Sequence, residues 1–241
     1  MAVFKQLLSA SDELSNTVDS LSFSPPVTHV YNPLVYAKKS HESFLKRFGN
    51  SRKRTVFLGM NPGPYGMTQT GVPFGEITAV RDWMKIETEV GHPPLQNPKR
   101  PVEGFACTRS EVSGRRLWGL MAERFGKAEN FFQDHFVLNY CPLVFMEEGG
   151  KNVTPDKLKA AEKEILFSAC DEHLRKALKI LQPEWAVGIG GFAEQCLTRL
   201  HKENPLAAKI GKVLHPSPAS PAANRGWSEA AERQLTEQEI W

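Results

Sequence analysis

Arg54-Thr55-Val56-Phe57-Leu58-Gly59-Met60, followed at once by Asn61-Pro62-Gly63-Pro64, is the stretch that decides the fold. A short apolar run after a basic turn reads as a strand buried on both faces. Two prolines and a glycine in the next four residues forbid helix or ladder continuation, so the chain must turn sharply at Asn61. The same grammar recurs three times. His135 to Cys141 runs into Pro142, Trp185 to Ile189 into Gly190-Gly191, and Ile210 to Leu214 into His215-Pro216. Between these runs the spacing is helical. After Thr154-Pro155, apolar residues recur at Leu158, Ala161, Ile165, Ala169, Leu174, Ala177 and Leu181, closed by Pro183. Phe4 to Leu21, Phe192 to Leu200 and Ala222 to Ile240 read as helices too. Ser24 to Pro33 reads as an extended connection, and the Pro-rich stretch from Gly91 to Thr108 as a long surface loop of the kind that often carries function.

Strands alternating with helices need crossovers, and crossovers make a parallel sheet covered on both faces. The expectation is an α/β protein: one domain over residues 1–241, a three-layer α/β/α sandwich around a central, mainly parallel sheet of four strands. Ligands bind beyond the carboxyl ends of such strands. That rule singles out Met60-Asn61, Asn139-Tyr140 and His215-Pro216 from topology alone.

Composition narrows the class. A hydrophobic share of 41% over 241 residues supports a sizeable core, and no run approaches the roughly 18 apolar residues of a membrane span. The N-terminus lacks a basic start, an apolar run and a small-residue cleavage site, so a soluble intracellular protein is expected. Cys107, Cys141, Cys170 and Cys196 lie far apart without a C-x-x-C pair, which signals neither zinc nor an iron–sulfur cluster; buried free thiols are expected. The formal charge of +3 decides little. Basic clusters at Lys46-Arg47, Arg52-Lys53-Arg54, Lys99-Arg100 and Arg115-Arg116 read as solvated surface unless they share a face, which would make them a phosphate track.

Gly59 to Pro64 (G-M-N-P-G-P) and His215 to Pro218 (H-P-S-P), followed by Ala223 to Trp227 (A-N-R-G-W), resemble the single-strand-selective monofunctional uracil-DNA glycosylase family. Gly71 to Gly75 (G-V-P-F-G) and Asn139 to Leu143 (N-Y-C-P-L) match in the same order, so the resemblance covers residues from about 30 to 227. It implies a uracil-DNA glycosylase-like fold and a base-excision-repair enzyme. Such an enzyme flips uracil, and 5-hydroxymethyluracil, from single- or double-stranded DNA and hydrolyses the N-glycosidic bond without cofactor, metal or strand cleavage. In this resemblance Asn61 matches the asparagine that positions the attacking water, while Met60 and Gly63 match neighbours that shape the pocket around the base and its 5-position. Phe74 matches the stacking aromatic, Asn139 the reader of the uracil edge, and His215 the histidine that stabilises the departing uracil anion. The segment from His215 to Arg225 matches the wedge that enters DNA, here Pro216, Ser217, Pro218 and Ala219 with Arg225 close behind. Vertebrate members often carry arginine just after H-P-S-P; with Ala219 in that place, gap filling is expected to be weaker or to fall to Arg225. Tyr65 stands where phenylalanine is common.

The chemistry agrees with these roles. Uracil presents two carbonyl oxygens flanking an N3–H, so one neutral carboxamide can donate to an oxygen and accept from N3. Glycosidic cleavage leaves a sugar cation and a uracil anion, and a well-placed donor to that anion is worth roughly 3–4 kcal/mol of barrier. The cation is electrophilic enough that a positioned water needs no strong base, which makes an asparagine tolerable. Three prolines in the six residues after His215 stiffen the segment, as a base-displacing wedge requires. No nucleophilic lysine or terminal amine occurs in these motifs, so an abasic product is expected. Other readings are a related pocket for hypoxanthine or xanthine, and a weakly catalytic damaged-DNA-binding module. A nucleotide-binding doubly wound domain would want G-x-G-x-x-G after its first strand, and Gly188-Ile189-Gly190-Gly191 lacks that spacing. A monomer acting on DNA, away from membranes, in the cytoplasm, nucleoid or nucleus, completes the expectation.

Overall fold

A computed structural model describes residues 2–241. Its centre is a parallel sheet of four strands, β2 (Thr55–Gly59), β3 (His135–Asn139), β6 (Trp185–Ile189) and β7 (Lys209–Val213), in the order β3-β2-β6-β7. Every residue of β2 and β3 is buried, as continuous apolar runs demand in a sheet covered on both faces. The register sets Gly59 beside Asn139, Leu58 beside Gly188 and Ile189 beside Val213. All four strands point the same way, so their breakers gather along one edge.

Helices make the outer layers. They are α1 (Val3–Asp19), α2 (Pro33–Tyr36), α3 (Lys38–Phe48), α4 (Met67–Thr70), α5 (Val112–Phe125), α6 (Ala128–Asp134), α7 (Ala160–Leu181), α8 (Gly191–Glu203), α9 (Pro221–Asn224) and α10 (Trp227–Glu237). Helix α8 is the crossover between β6 and β7 and packs on both, α10 packs on β7, and α1 lies along α7. Stacked and edge-on aromatics lock α3 and α6 to the sheet: the Phe48 and Phe132 rings stack at 4.1 Å, and Phe44 lies 5.1 Å from Phe136 on β3. The four cysteines are free and buried.

The α/β sandwich with four parallel strands agrees with the reading of the sequence, and several details depart from it, among them α2, α3 and α4, which no periodicity had marked. A second, antiparallel sheet joins β1 (His29–Tyr31), inside the stretch read as an extended connection, to β4 (Val144–Met146) and β5 (Asn152–Val153), which were not assigned from sequence. Strands of two or three residues are too short to show alternation, so no periodicity marks them. The expected helix from Ala222 to Ile240 is two helices, α9 and α10, parted at Arg225 and at Gly226 with φ +128°. Residues 112–134, not assigned from sequence, form α5 and α6. The long loop over residues 91–108 holds only one short 3-10 turn, Gly104–Ala106. It is tied down by Asn97, whose side-chain amide donates to the carbonyls of Glu147 (3.2 Å) and Glu148 (3.1 Å).

Candidate active site

At the carboxyl edge of the sheet lies a cavity of about 340 Å³ bounded by Met60, Asn61, Gly63, Phe74, Asn139 and His215, with Pro62, Glu111, Ser113, Asn152, Thr154 and Ser217 completing its wall. Sequence reasoning had placed the first six there. Pro216, Pro218, Ala219 and Arg225 do not line the cavity; they form the segment that leaves its rim.

The turn after β2 sets the first wall. The Asn61 amide Nδ2 donates to the Leu143 carbonyl at 3.1 Å, across to the segment that follows β3. Only the Nδ2 end can face a carbonyl, so Oδ1 is the end left to accept a hydrogen bond. Tyr140 and Cys141 donate their N–H groups to the carbonyls of Gly59 and Met60, both at 2.9 Å, which extends the β2–β3 ladder into the site.

The floor is built around a missing side chain. A Cβ on Gly59 would stand 2.5 Å from both Asn139 Oδ1 and the Phe74 ring, so glycine is what lets those two groups converge. Asn139 is 9% exposed; its Nδ2 makes only a weak contact with Met67 Sδ at 3.3 Å, and its Oδ1 is buried with no donor from the protein. Phe74 adopts φ +52°, a left-handed conformation costly for an aromatic residue and pinned by Trp118 Nε1, which donates to its carbonyl at 2.9 Å. That backbone twist presents the ring as a wall, 6.2 Å and tilted from the ring of His215.

His215 packs over Gly190, where φ is +88° and any Cβ would come within 2.9 Å of the His215 Cβ. Burial holds its imidazole below the usual histidine range, so it stands neutral at pH 7 with one N–H to donate. The segment after it is braced at several points. Arg116 donates to the carbonyls of Pro216 (3.1 Å) and Ser217 (3.3 Å) and to Asn224 Oδ1 (2.9 Å). Asn224 Nδ2 returns to the Pro218 carbonyl at 2.9 Å, and Trp227 Nε1 holds the Leu214 carbonyl at 2.7 Å.

Glu111, at the N-cap of α5, escaped sequence reasoning because an acidic residue opening a helix is ordinarily an exposed one. Here its carboxyl is enclosed at the cavity wall. Burial, and secondarily the charge of Glu76, push its pKa up to about 7. Two arginines gather on Tyr65, in the turn that follows Asn61 and Gly63. Arg100 Nη1 donates to the Tyr65 hydroxyl at 2.8 Å, Arg109 donates to the same oxygen, and their guanidinium carbons lie 5.5 and 5.0 Å from the Tyr65 ring centre. Neither arginine forms an ion pair among the described residues. Several residues of the other basic clusters are engaged elsewhere: Arg47 pairs with Glu129 at 2.6 Å, Arg54 with Glu184 at 3.6 Å, and Lys53 is buried against the Phe132 carbonyl. Arg54 precedes β2, at the end of the sheet opposite the cavity. No group of three or more His, Cys, Asp or Glu side chains among the described residues is arranged to hold a metal ion.

Residues 46–240 match the uracil DNA glycosylase superfamily. The chain belongs to that superfamily. Within it, the single-strand selective monofunctional uracil DNA glycosylase of Bos taurus is 44% identical over 224 residues, 93% of this chain and 82% of the relative. The corresponding proteins of Rattus norvegicus and Mus musculus are 44% and 43% identical over the same share of this chain, covering 81% and 80% of their own lengths. Among solved structures, wild-type SMUG2 of Pedobacter heparinus superposes with a TM-score of 0.68 at 18% identity, over 96% of this chain and 97% of that one. At that identity the likeness shows a shared fold. For a uracil DNA glycosylase superfamily member, the cavity at the carboxyl edge is where a flipped base belongs by the strand-end rule.

Proposed function

We propose that this protein is a monofunctional uracil-DNA glycosylase that accepts single- and double-stranded DNA, uses no cofactor, and acts as a monomer in a DNA-containing compartment of the cell. The observation that carries the reading is the convergence of Asn61, Phe74, Asn139 and His215 on one cavity sized for a base. Uracil stacks on Phe74, an interaction worth about 1–3 kcal/mol for a base. The unpaired Asn139 Oδ1 accepts from uracil N3–H. Cytosine offers an acceptor at that atom, and two acceptors facing each other in a buried site disfavour it.

His215 donates to the uracil O2 as negative charge develops on the departing base, which a neutral imidazole does without first gaining a proton. Asn61 Oδ1 accepts from a water held near the sugar C1′; as the glycosidic bond breaks, that water adds to the sugar cation and its proton passes to solvent. The product is an abasic site and free uracil. The strap from Pro216 to Arg225 enters the stack, with Ala219 at an exposed position and Arg225 able to reach the vacated space. Arg100 and Arg109, without an ion pair among the described residues and gathered on Tyr65 in the turn after Asn61, take backbone phosphates of the bound strand. No helix among the described residues is long and apolar enough to cross a membrane.

The test is a single-turnover assay in EDTA on labelled DNA carrying one uracil, with and without alkali after the reaction. Cleavage that depends on alkali is expected. DNA left intact after alkali, or cut without it, would overturn the reading.

A further inference from the structure

The segment from His215 to Arg225 is poor in the groups that ordinarily hold a backbone in place. Pro216, Pro218 and Pro221 have no N–H, and the carbonyls around them must find donors outside any ladder. Side chains supply them. Arg116 Nη1 donates to the carbonyls of Pro216 at 3.1 Å and Ser217 at 3.3 Å, and its Nη2 donates to Asn224 Oδ1 at 2.9 Å. Asn224 passes the hold on: its Nδ2 donates to the Pro218 carbonyl at 2.9 Å, and its backbone N–H to that of Ser220 at 3.1 Å. One guanidinium therefore clasps both ends of the strap around the exposed tip at Pro218 and Ala219.

Arg124, about two turns farther along the same helix α5, shows how an arginine fastens that helix to its neighbours. It pairs with Glu232 of α10 at 3.1 Å and lies 4.4 Å from the ring centre of Trp241. Arg116 forms no ion pair among the described residues, and its hydrogen bonds all go to the strap. His215, by contrast, is secured from the strand side without Arg116. The Leu214 N–H donates to Gln234 Oε1 at 2.8 Å, the Leu214 carbonyl accepts from Trp227 Nε1 at 2.7 Å, and the His215 side chain rests on Gly190. The imidazole and the tip thus have separate supports, joined through the braced residues between them.

We propose that Arg116 is a positioning residue for duplex substrates, holding the strap in the shape that displaces a base from a paired and stacked helix. The inference rests on the proposed function, in which the strap enters the stack. In a duplex the tip must take over from the stacking and pairing of the target base, and a strap ordered beforehand loses no conformational entropy in doing so. A single strand offers little to displace, so its uracil reaches the cavity whether the strap is braced or slack. Arg116 touches neither the base nor the reacting atoms. A side chain that only stabilised the fold would affect both substrates alike.

Single-turnover excision by the full-length wild type, Arg116→Ala and Arg116→Lys separates the two roles, with uracil in a labelled strand used alone and annealed to its complement. The duplex-to-single-strand ratio of rates is expected to fall about tenfold or more in the alanine variant, as loss of a charged hydrogen-bond donor implies. The rate on the single strand should stay within a few-fold of wild type. Lysine keeps the charge and a donor for the carbonyls, and its ratio should fall between the two. A 2-aminopurine placed beside the uracil in the duplex brightens as its neighbour leaves the stack, and that rise should be slower with the alanine variant. Should Arg116→Ala fail to fold, Asn224→Ala, at an exposed position, releases the Pro218 carbonyl and is read by the same ratio. A ratio equal to that of the wild type, whether both rates fall or neither does, overturns the proposal. So does a wild type that excises uracil from the single strand alone, for then there is no duplex step to support. A wild type inactive on both strands removes the proposed function itself.

Discussion

Asn61 turns its amide nitrogen away from the cavity to the carbonyl of Leu143, 3.1 Å off, and so presents its oxygen to whatever occupies the site. The bond crosses from the turn after β2 to the segment after β3, and it fixes the side chain without using Oδ1, the end proposed to orient the water. Asn61→Ala removes the acceptor that orients water, and the chemical step should slow by on the order of a hundredfold or more. DNA affinity should change little, because the phosphate contacts are untouched. Single-turnover kinetics beside equilibrium binding measure both; normal turnover would end the water-positioning role.

Gly59→Ala puts a methyl group 2.5 Å from Asn139 Oδ1 and from the Phe74 ring. Both neighbours are buried and packed, so neither yields cheaply. Overpacking of this kind costs about 1–3 kcal/mol of stability, and it displaces the two groups proposed to hold the base. The expected variant folds with a lowered melting temperature and loses excision out of proportion to its stability. Calorimetry together with rates measured well below the transition checks both halves.

His41, His135 and His173 are buried, and burial lowers each pKa to about 4. In the unfolded chain they titrate near 6.5, so below that pH the unfolded state binds more protons and stability falls with decreasing pH. The loss runs from about pH 6.5 down to 4 at roughly 1.4 kcal/mol per pH unit for each histidine. Glu111, raised to about 7, acts in the opposite sense between its unfolded value and 7 and offsets one of the three. The net expectation is a melting temperature that drops steeply between pH 6.5 and 5. The slope should be shallower after His173→Gln, and a flat profile over that window would contradict the assignment.

Arg100 and Arg109 crowd two positive charges onto the single hydroxyl of Tyr65, and neither forms an ion pair among the described residues. If each neutralises a phosphate, Arg109→Ala should lower the salt dependence of DNA binding by about one unit of slope. Base discrimination should be unaltered. Titration of binding affinity across salt concentrations provides the slope; one identical to that of the wild type would remove Arg109 from the interface.

Much of this was legible in the sequence because each β-strand of the main sheet ends in its own breaker. Pro62, Gly190 and Pro216 stop the ladder where function begins, and topology then gathers Asn61, Asn139 and His215 on one edge. The left-handed backbone of Phe74 was not legible, since nothing in V-P-F-G distinguishes a strained phenylalanine from a core one. Glu111 was hidden for a different reason. Its enclosure depends on the empty faces of Gly63, Gly66 and Gly114, and glycines distant in sequence do not announce that they share a neighbour. The antiparallel sheet of β1, β4 and β5 escaped because its strands are shorter than one period of any pattern.

Arg116 and Asn224 brace the three residues between His215 and the tip at Ala219, which couples those two positions through a stiff segment. On the proposed assignment, inserting the tip between bases and bringing the imidazole to the extruded ring would then be a single motion. The proposed donor would arrive only once the stack is open, so a base that leaves its neighbours reluctantly would be spared by mechanics before any hydrogen bond in the cavity is made.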